Sequence, residues 1–120
     1  MAKRVLVADD SPLIRKMLCQ LFKREDDYDI CAEATNGQEA IALALKHRPD
    51  LIILDWAMPV LGGLAAAREL KKTMPEVPII LFTQHATVTT LVETEVNIDR
   101  LVSKDDPASL MGHVRSLAPV

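Results

Sequence analysis

The chain alternates between two hydrophobic rhythms. Val5-Leu6-Val7-Ala8 is a short unbroken apolar run, the pattern of a strand covered on both faces. Ser11-Pro12 follows, an N-cap residue and a proline suited to a first helical position. Ile14, Met17, Leu18, Leu21 and Phe22 then recur at helical spacing, until the polar stretch Lys23 to Asp27 ends the helix. Tyr28 to Ala34 reads as a second strand, with Asn36-Gly37 as the turn after it. An Ala/Leu-rich helix is expected from Gln38 to His47, with Ile41 and Leu45 on one face. Pro49-Asp50 breaks the chain before Leu51-Ile52-Ile53-Leu54, a third buried strand.

The second half repeats the alternation. Beyond a loop containing Met58-Pro59 and Gly62-Gly63, residues Leu64 to Lys72 favour helix. Pro75 and Pro78 bracket the next connection, and Val77 to Phe82 is a fourth strand. Residues 86–96 are ambiguous, because Thr87, Val88, Thr89, Thr90, Val92, Thr94 and Val96 are all β-branched. The alternation asks for a helix there, one of low intrinsic stability. Leu101-Val102 is the core of a fifth strand. Asp106-Pro107 repeats the cap-and-proline pairing, and Leu110, Val114 and Leu117 form a final helical stripe. Five βα units with tight connections predict an α/β domain, a parallel sheet with helices on both faces. No linker, repeat or low-complexity segment interrupts it, so one domain is expected over residues 1–120.

Composition narrows the class. Hydrophobic residues make up 49% of the chain but aromatics only 3%, so the core must be aliphatic. The formal charge is −3, from 14 Lys plus Arg against 17 Asp plus Glu. With no local Lys/Arg run, nothing predicts direct nucleic-acid binding. No apolar stretch approaches the ~20 residues of a membrane span, and the N-terminus shows no signal-peptide pattern, so a cytoplasmic protein without membrane contact is expected. Cys19 and Cys31 form no Cys-x-x-Cys pair and sit in apolar stretches, which predicts buried reduced thiols.

The candidate chemistry lies where the strands stop. Strand one ends at Asp9-Asp10, strand three at Asp55, strand four at Thr83, and strand five runs into Ser103-Lys104. In an open doubly wound sheet, ligands bind at the carboxyl ends of strands, where the strand order reverses. Three carboxylates there repel: a pair ~4 Å apart costs about 4 kcal/mol at an effective dielectric near ~20. Lys104 offsets one charge. An all-oxygen acidic set suits Mg²⁺ as the remaining cation. A carboxylate beside such a metal can act as a nucleophile and become an aspartyl phosphate. Lys104 and the Thr83 hydroxyl are suited to holding phosphoryl oxygens. Taken singly, Asp9-Asp10 could be an acidic helix cap, and Thr83 or Lys104 an ordinary surface residue. The signal is the set. His85 would lie beside it, either tuning phosphoryl hydrolysis or, the favoured reading, as an exposed loop residue; Trp56 flanks Asp55, and His47 and His113 are expected on the surface.

On these residues the whole chain resembles the receiver domain of bacterial two-component response regulators. Asp9-Asp10 with Ser11-Pro12 is similar to that family's acidic pair. Asp55-Trp56-Ala57-Met58-Pro59, with Gly63 beyond, is similar to its phosphoacceptor loop, and Thr83 and Lys104 fall at its hydroxyl and lysine positions. The resemblance implies a flavodoxin-like sheet of order 2-1-3-4-5. It implies Asp55 as phosphoacceptor, and Mg²⁺ held by Asp10, Asp55 and the Ala57 backbone carbonyl, with Asp9 acting through metal-bound water. It also implies a sensor histidine kinase or phosphotransfer protein as donor. A surface of the fourth helix, fifth strand and fifth helix would carry the signal, with a homodimer through that surface as one outcome. The chain departs from the family in four places. Leu101 stands where a switching aromatic is common, Asp105 where a proline often follows the lysine, Asn97 where a glycine often ends the fourth helix, and Ala57 offers only its backbone. Lys104-Asp105-Asp106 and the Met58-Pro59 loop look closest to receivers joined to helix-turn-helix output domains.

Other classes fit less well. An aspartate-nucleophile phosphatase needs an acid/base Asp two residues after the nucleophile, where this chain has Ala57. A flavin carrier of the same fold would want a hydroxyl-rich phosphate loop after strand one, where Asp9-Asp10 would repel phosphate. The expected function is therefore a phosphoacceptor switch and not an enzyme. A receiver used only as a phosphorylation-independent interaction module is the alternative.

Overall fold

The structure is a computed structural model, and it describes residues 2–84 and 98–120. The elements follow the hydrophobic pattern: β1 (Lys3–Ala8), α1 (Pro12–Lys23), β2 (Tyr28–Ala34), α2 (Gly37–His47), β3 (Leu51–Leu54), α3 (Gly63–Thr73), β4 (Ile79–Thr83), β5 (Arg100–Ser103) and a C-terminal helix (Leu110–Leu117). The five strands are all parallel, in the order β2-β1-β3-β4-β5.

Strand side chains alternate between faces, so each buried strand feeds two cores. Leu6, Ile52, Leu54, Ile79 and Leu81 face one cluster with Ala40 and Ala44 of α2 and Ala66, Ala67 and Leu70 of α3. Val5, Val7, Leu51, Ile53, Ile80 and Phe82 face the other, with Leu18 and Phe22 of α1 and Leu110 and Val114 of the C-terminal helix. A strand wetted on neither face has no reason to alternate with polar residues, which is why β1, β3 and β4 read as apolar runs. Each fully buried Leu or Ile contributes about 1.5–3 kcal/mol.

Ser11 caps α1, its hydroxyl accepting from the Ile14 N–H at 3.3 Å, with Pro12 as the first helical residue. Three boundaries differ from the sequence reading. Asn36 is not a free turn residue but the N-cap of α2, accepting from the Glu39 N–H at 2.8 Å, and Gly37 opens the helix. A Cβ on Gly37 would lie 2.3 Å from the Leu61 carbonyl oxygen, so only glycine lets α2 dock on the loop after β3. Asp106 makes no side-chain cap: Pro107–Ser109 is a 3₁₀ turn, and the α-helix begins only at Leu110. Val77 and Pro78 precede β4 instead of joining it. Cys19 and Cys31 are free thiols but only half-buried, because α1 turns Cys19 toward its flank and β2 is an edge strand. The helix expected over 86–96, His85 and Asn97 lie outside the described residues.

Candidate functional site

The strand order reverses between β1 and β3, because α1 carries the chain from β1 outward to β2 and α2 returns it to β3 on the other face. The crevice this opens lies at the carboxyl ends of those two strands. Main-chain hydrogen bonds extend the sheet into it. The Asp9 N–H donates to the Ala34 carbonyl (3.0 Å), the Asp55 N–H to Ala8 (2.9 Å) and the Lys104 N–H to Thr83 (3.0 Å). The backbone of each residue is thus placed by a neighbouring strand before its side chain does anything.

The side chains then converge. Carboxylate oxygens of Asp9, Asp10 and Asp55 all lie within 4.8 Å of one another. Asp9, Asp55 and Thr83 are buried, whereas Asp10 is exposed at the mouth. The Lys104 ammonium bridges Asp9 Oδ2 at 2.7 Å and Asp55 Oδ1 at 3.1 Å. Together with Ser11, Ala57 and Gln84 these groups line an open cleft of about 420 Å³. Asp9, Asp10, Asp55, Ala57, Thr83 and Lys104, the candidates from sequence, therefore border one cavity.

Electrostatically the cleft is short of positive charge. Burial, with the Asp9 carboxylate beside it, raises the Asp55 pKa above the ordinary aspartate value, although Lys104 acts to lower it. Burial acts to lower the Lys104 pKa, but its hydrogen bonds to Asp9 and Asp55 outweigh that and hold it above the ordinary lysine value. Among the described residues three hard oxygen donors face one ammonium, a set without a soft ligand that fits a small divalent cation of the Mg²⁺ kind.

The loop leaving Asp55 is tightly packed. A Cβ on Gly63 would sit 1.9 Å from the Asp55 carbonyl oxygen, so α3 can close on the acid only through glycine. The Gly63 N–H donates to the Trp56 carbonyl at 2.8 Å. Between them Val60, which is 79% exposed, has φ 67°, and the Leu61 N–H donates to the Pro59 carbonyl across it at 2.7 Å. That is a strained γ-turn for a β-branched residue.

Sequence reasoning missed Arg15. Its Nη1 donates to the Asp9 carbonyl at 2.6 Å and its Nε lies 3.5 Å from Glu33 Oε1 on β2. A signal was available: α1 has no acidic residue in its first turn, yet carries this cation just beyond it, against the helix dipole.

The family model described as the response regulator receiver domain matches residues 5–115. The chain belongs to that family. Among curated relatives, a protein-glutamate methylesterase/protein-glutamine glutaminase of Hahella chejuensis is 39% identical over 82 residues, covering 68% of this chain and 21% of its own. The transcriptional regulatory protein PdtaR of Mycobacterium tuberculosis is 45% identical over 84 residues, covering 68% of this chain and 40% of its own. The receiver chain thus spans about a fifth to two-fifths of the length of these relatives. Among solved structures, the response regulator TrrA of Thermotoga maritima, in complex with Mg²⁺-BeF, superimposes with a TM-score of 0.84 at 35% identity, covering 96% of this chain and 98% of that one. A LuxR-family response regulator from an Aurantimonas species gives a TM-score of 0.90 at 28% identity, covering 98% of this chain and 86% of that one. This receiver is a domain of two-component signalling, with a flavodoxin-like sheet, and no helix among its described residues is long and apolar enough to cross a membrane.

Proposed function

We propose that this receiver, one domain over residues 1–120, accepts a phosphoryl group on Asp55 from a phosphohistidine of a sensor kinase or phosphotransfer protein. The observation that carries the reading is the buried Asp55 carboxylate, bridged by Lys104 to Asp9 in an all-oxygen cleft at the β1/β3 crossover. A free Asp55 oxygen attacks phosphorus, the P–N bond breaks, and the donor imidazole leaves as the neutral ring when its other nitrogen carries a proton. Asp10, Asp55 and the Ala57 carbonyl would hold Mg²⁺, with Asp9 acting through its water. The metal would supply the positive charge that lets the anionic phosphoryl group approach three carboxylates. Lys104, 3.1 Å from Asp55 Oδ1, would follow the incoming phosphoryl oxygens, and the Thr83 hydroxyl would hold another.

The receiver would act as a phosphoacceptor switch, and the part it shares with the methylesterase relatives is about a fifth of their length. Thr83 pairs in register with Ser103 on β5, so a shift of Thr83 toward the phosphoryl group would be felt beside Lys104. The output surface would combine residues 86–96, β5 and the C-terminal helix, and would offer itself to a partner or a second copy in the cytoplasm.

Incubation with acetyl phosphate and Mg²⁺ should add one phosphoryl mass to the intact chain and none to Asp55→Asn. A wild-type mass unchanged under those conditions removes the phosphoacceptor reading and leaves the interaction module.

A further inference from the structure

Asp9 is held at every polar atom. Its N–H donates to Ala34, its Oδ1 accepts from the Ser11 N–H at 2.9 Å, and its Oδ2 meets Lys104. The fourth contact, Arg15 Nη1 to the Asp9 carbonyl, is different in kind. That carbonyl belongs to the planar peptide joining Asp9 to Asp10. With the plane fixed, a single main-chain rotation separates the restraint from the Asp10 side chain. Asp10 itself is exposed and sits where the strand has ended, so nothing in the sheet ladder sets its direction. The Arg15 side chain is only 18% exposed, and Glu33 on β2 lies against its other edge.

We infer that Arg15 is a positioning residue for the metal site: by clamping the Asp9–Asp10 peptide it aims the Asp10 carboxylate into the cleft. This rests on the Mg²⁺ reading above. Arg15 touches neither the phosphoryl group nor the metal. Its planar fork lets one nitrogen hold the carbonyl while another faces Glu33, a geometry that lysine's single ammonium copies only in part. Groups that orient a ligand without binding the metal are worth about 10–100-fold in affinity.

The test is a Mg²⁺ titration of the metal-free chain by Trp56 fluorescence, with denaturant unfolding of each variant alongside. Arg15→Met keeps the aliphatic stem and removes the donor. It should weaken Mg²⁺ binding about tenfold, and Arg15→Lys should recover part of that loss. In an Asp10→Ala background, Arg15→Met should cost nothing further, because the group it positions is gone. An equal loss with and without Asp10 means a general structural effect and overturns the inference, as does unchanged affinity in Arg15→Met. A wild-type chain that gives no Mg²⁺ response overturns the metal reading itself, and the inference with it. If Arg15→Met does not fold, Arg15→Lys decides through the same cycle: a loss of Mg²⁺ affinity with Asp10 present and none in the Asp10→Ala background upholds the inference, and an unchanged affinity, or an equal loss in both backgrounds, overturns it.

Discussion

At the amino edge of the sheet, Asp99 Oδ2 accepts from the Ile79 N–H and from Lys71 Nζ, both at 2.8 Å. Lys71 also donates to the Val77 carbonyl at 3.1 Å. Nearby, Asp50 accepts from the Arg4 N–H, and the Arg4 guanidinium donates to the His47 carbonyl. At the carboxyl edge the same residue types meet differently, with three carboxylates around one described ammonium. The first edge spends its charges closing strand ends and helix ends. The second leaves like charges facing each other across a cleft. Both were built from Asp, Lys and Arg beside apolar strands, so residue type alone does not separate a staple from a site; the balance of partners does.

The difference is open to measurement. Asp99→Ala removes the partner of the Ile79 N–H and leaves Lys71 largely covered, so it should cost about 2 kcal/mol of folding stability by denaturant unfolding. A loss below a few tenths would make the amino edge as expendable as any surface pair.

Asp55→Asn should do the reverse and stabilise the metal-free chain at neutral pH, because Lys104 keeps Asp9 while the repulsion between the two buried carboxylates is relieved. The sign follows from the raised Asp55 pKa. The folded state then binds the proton more tightly than the unfolded chain, so wild-type stability falls as pH climbs from the ordinary aspartate value through the raised one. The advantage of Asp55→Asn should therefore be complete at neutral pH and vanish on acidification. Mg²⁺ binding should weaken over that same acidic window. An advantage that does not change with pH would detach it from the Asp55 charge.

The smallest effect concerns backbone strain. Among the described residues, each edge carries one non-glycine residue at positive φ, Arg48 (50°) and Val60 (67°). Arg48 is the C-cap of α2, where the left-handed conformation is ordinary and the side chain unbranched. Val60 has a branched Cβ and a γ-turn. Val60→Asn should gain about 0.5 kcal/mol, and Arg48→Asn less. Equal gains would mean that the loop after Asp55 stores no more strain than a helix end.

Much of this was legible in the sequence because β1, β3 and β4 are covered on both faces. A strand with no wet face writes itself as an apolar run, and its first polar residue marks the exit; hence Asp9, Asp55 and Thr83 were found by position. What stayed hidden was pairing across long separations. Nothing local tells that Asp99 answers Lys71, or that Arg15 bonds the residue six positions before it while facing a β2 glutamate. The 3₁₀ turn at Pro107 was hidden for a different reason. Asp-Pro satisfies the composition of a helix start, but the Asp106 backbone does not bring its carboxylate to the helix N–H groups.

The ladder bonds from Asp9, Asp55 and Lys104 to Ala34, Ala8 and Thr83 belong to main-chain atoms alone. Any side chain that fits can occupy those three seats without redrawing the path of the chain. The cradle is therefore separable from its contents, and its chemistry can be rewritten one position at a time. A thiol, a carboxamide or a glutamate at position 55 would be presented to the same space, by the same strand, at the same depth. For engineering, that makes residue 55 a mounting point; for inheritance, it means that copies of this fold can lose their reactivity while keeping their shape.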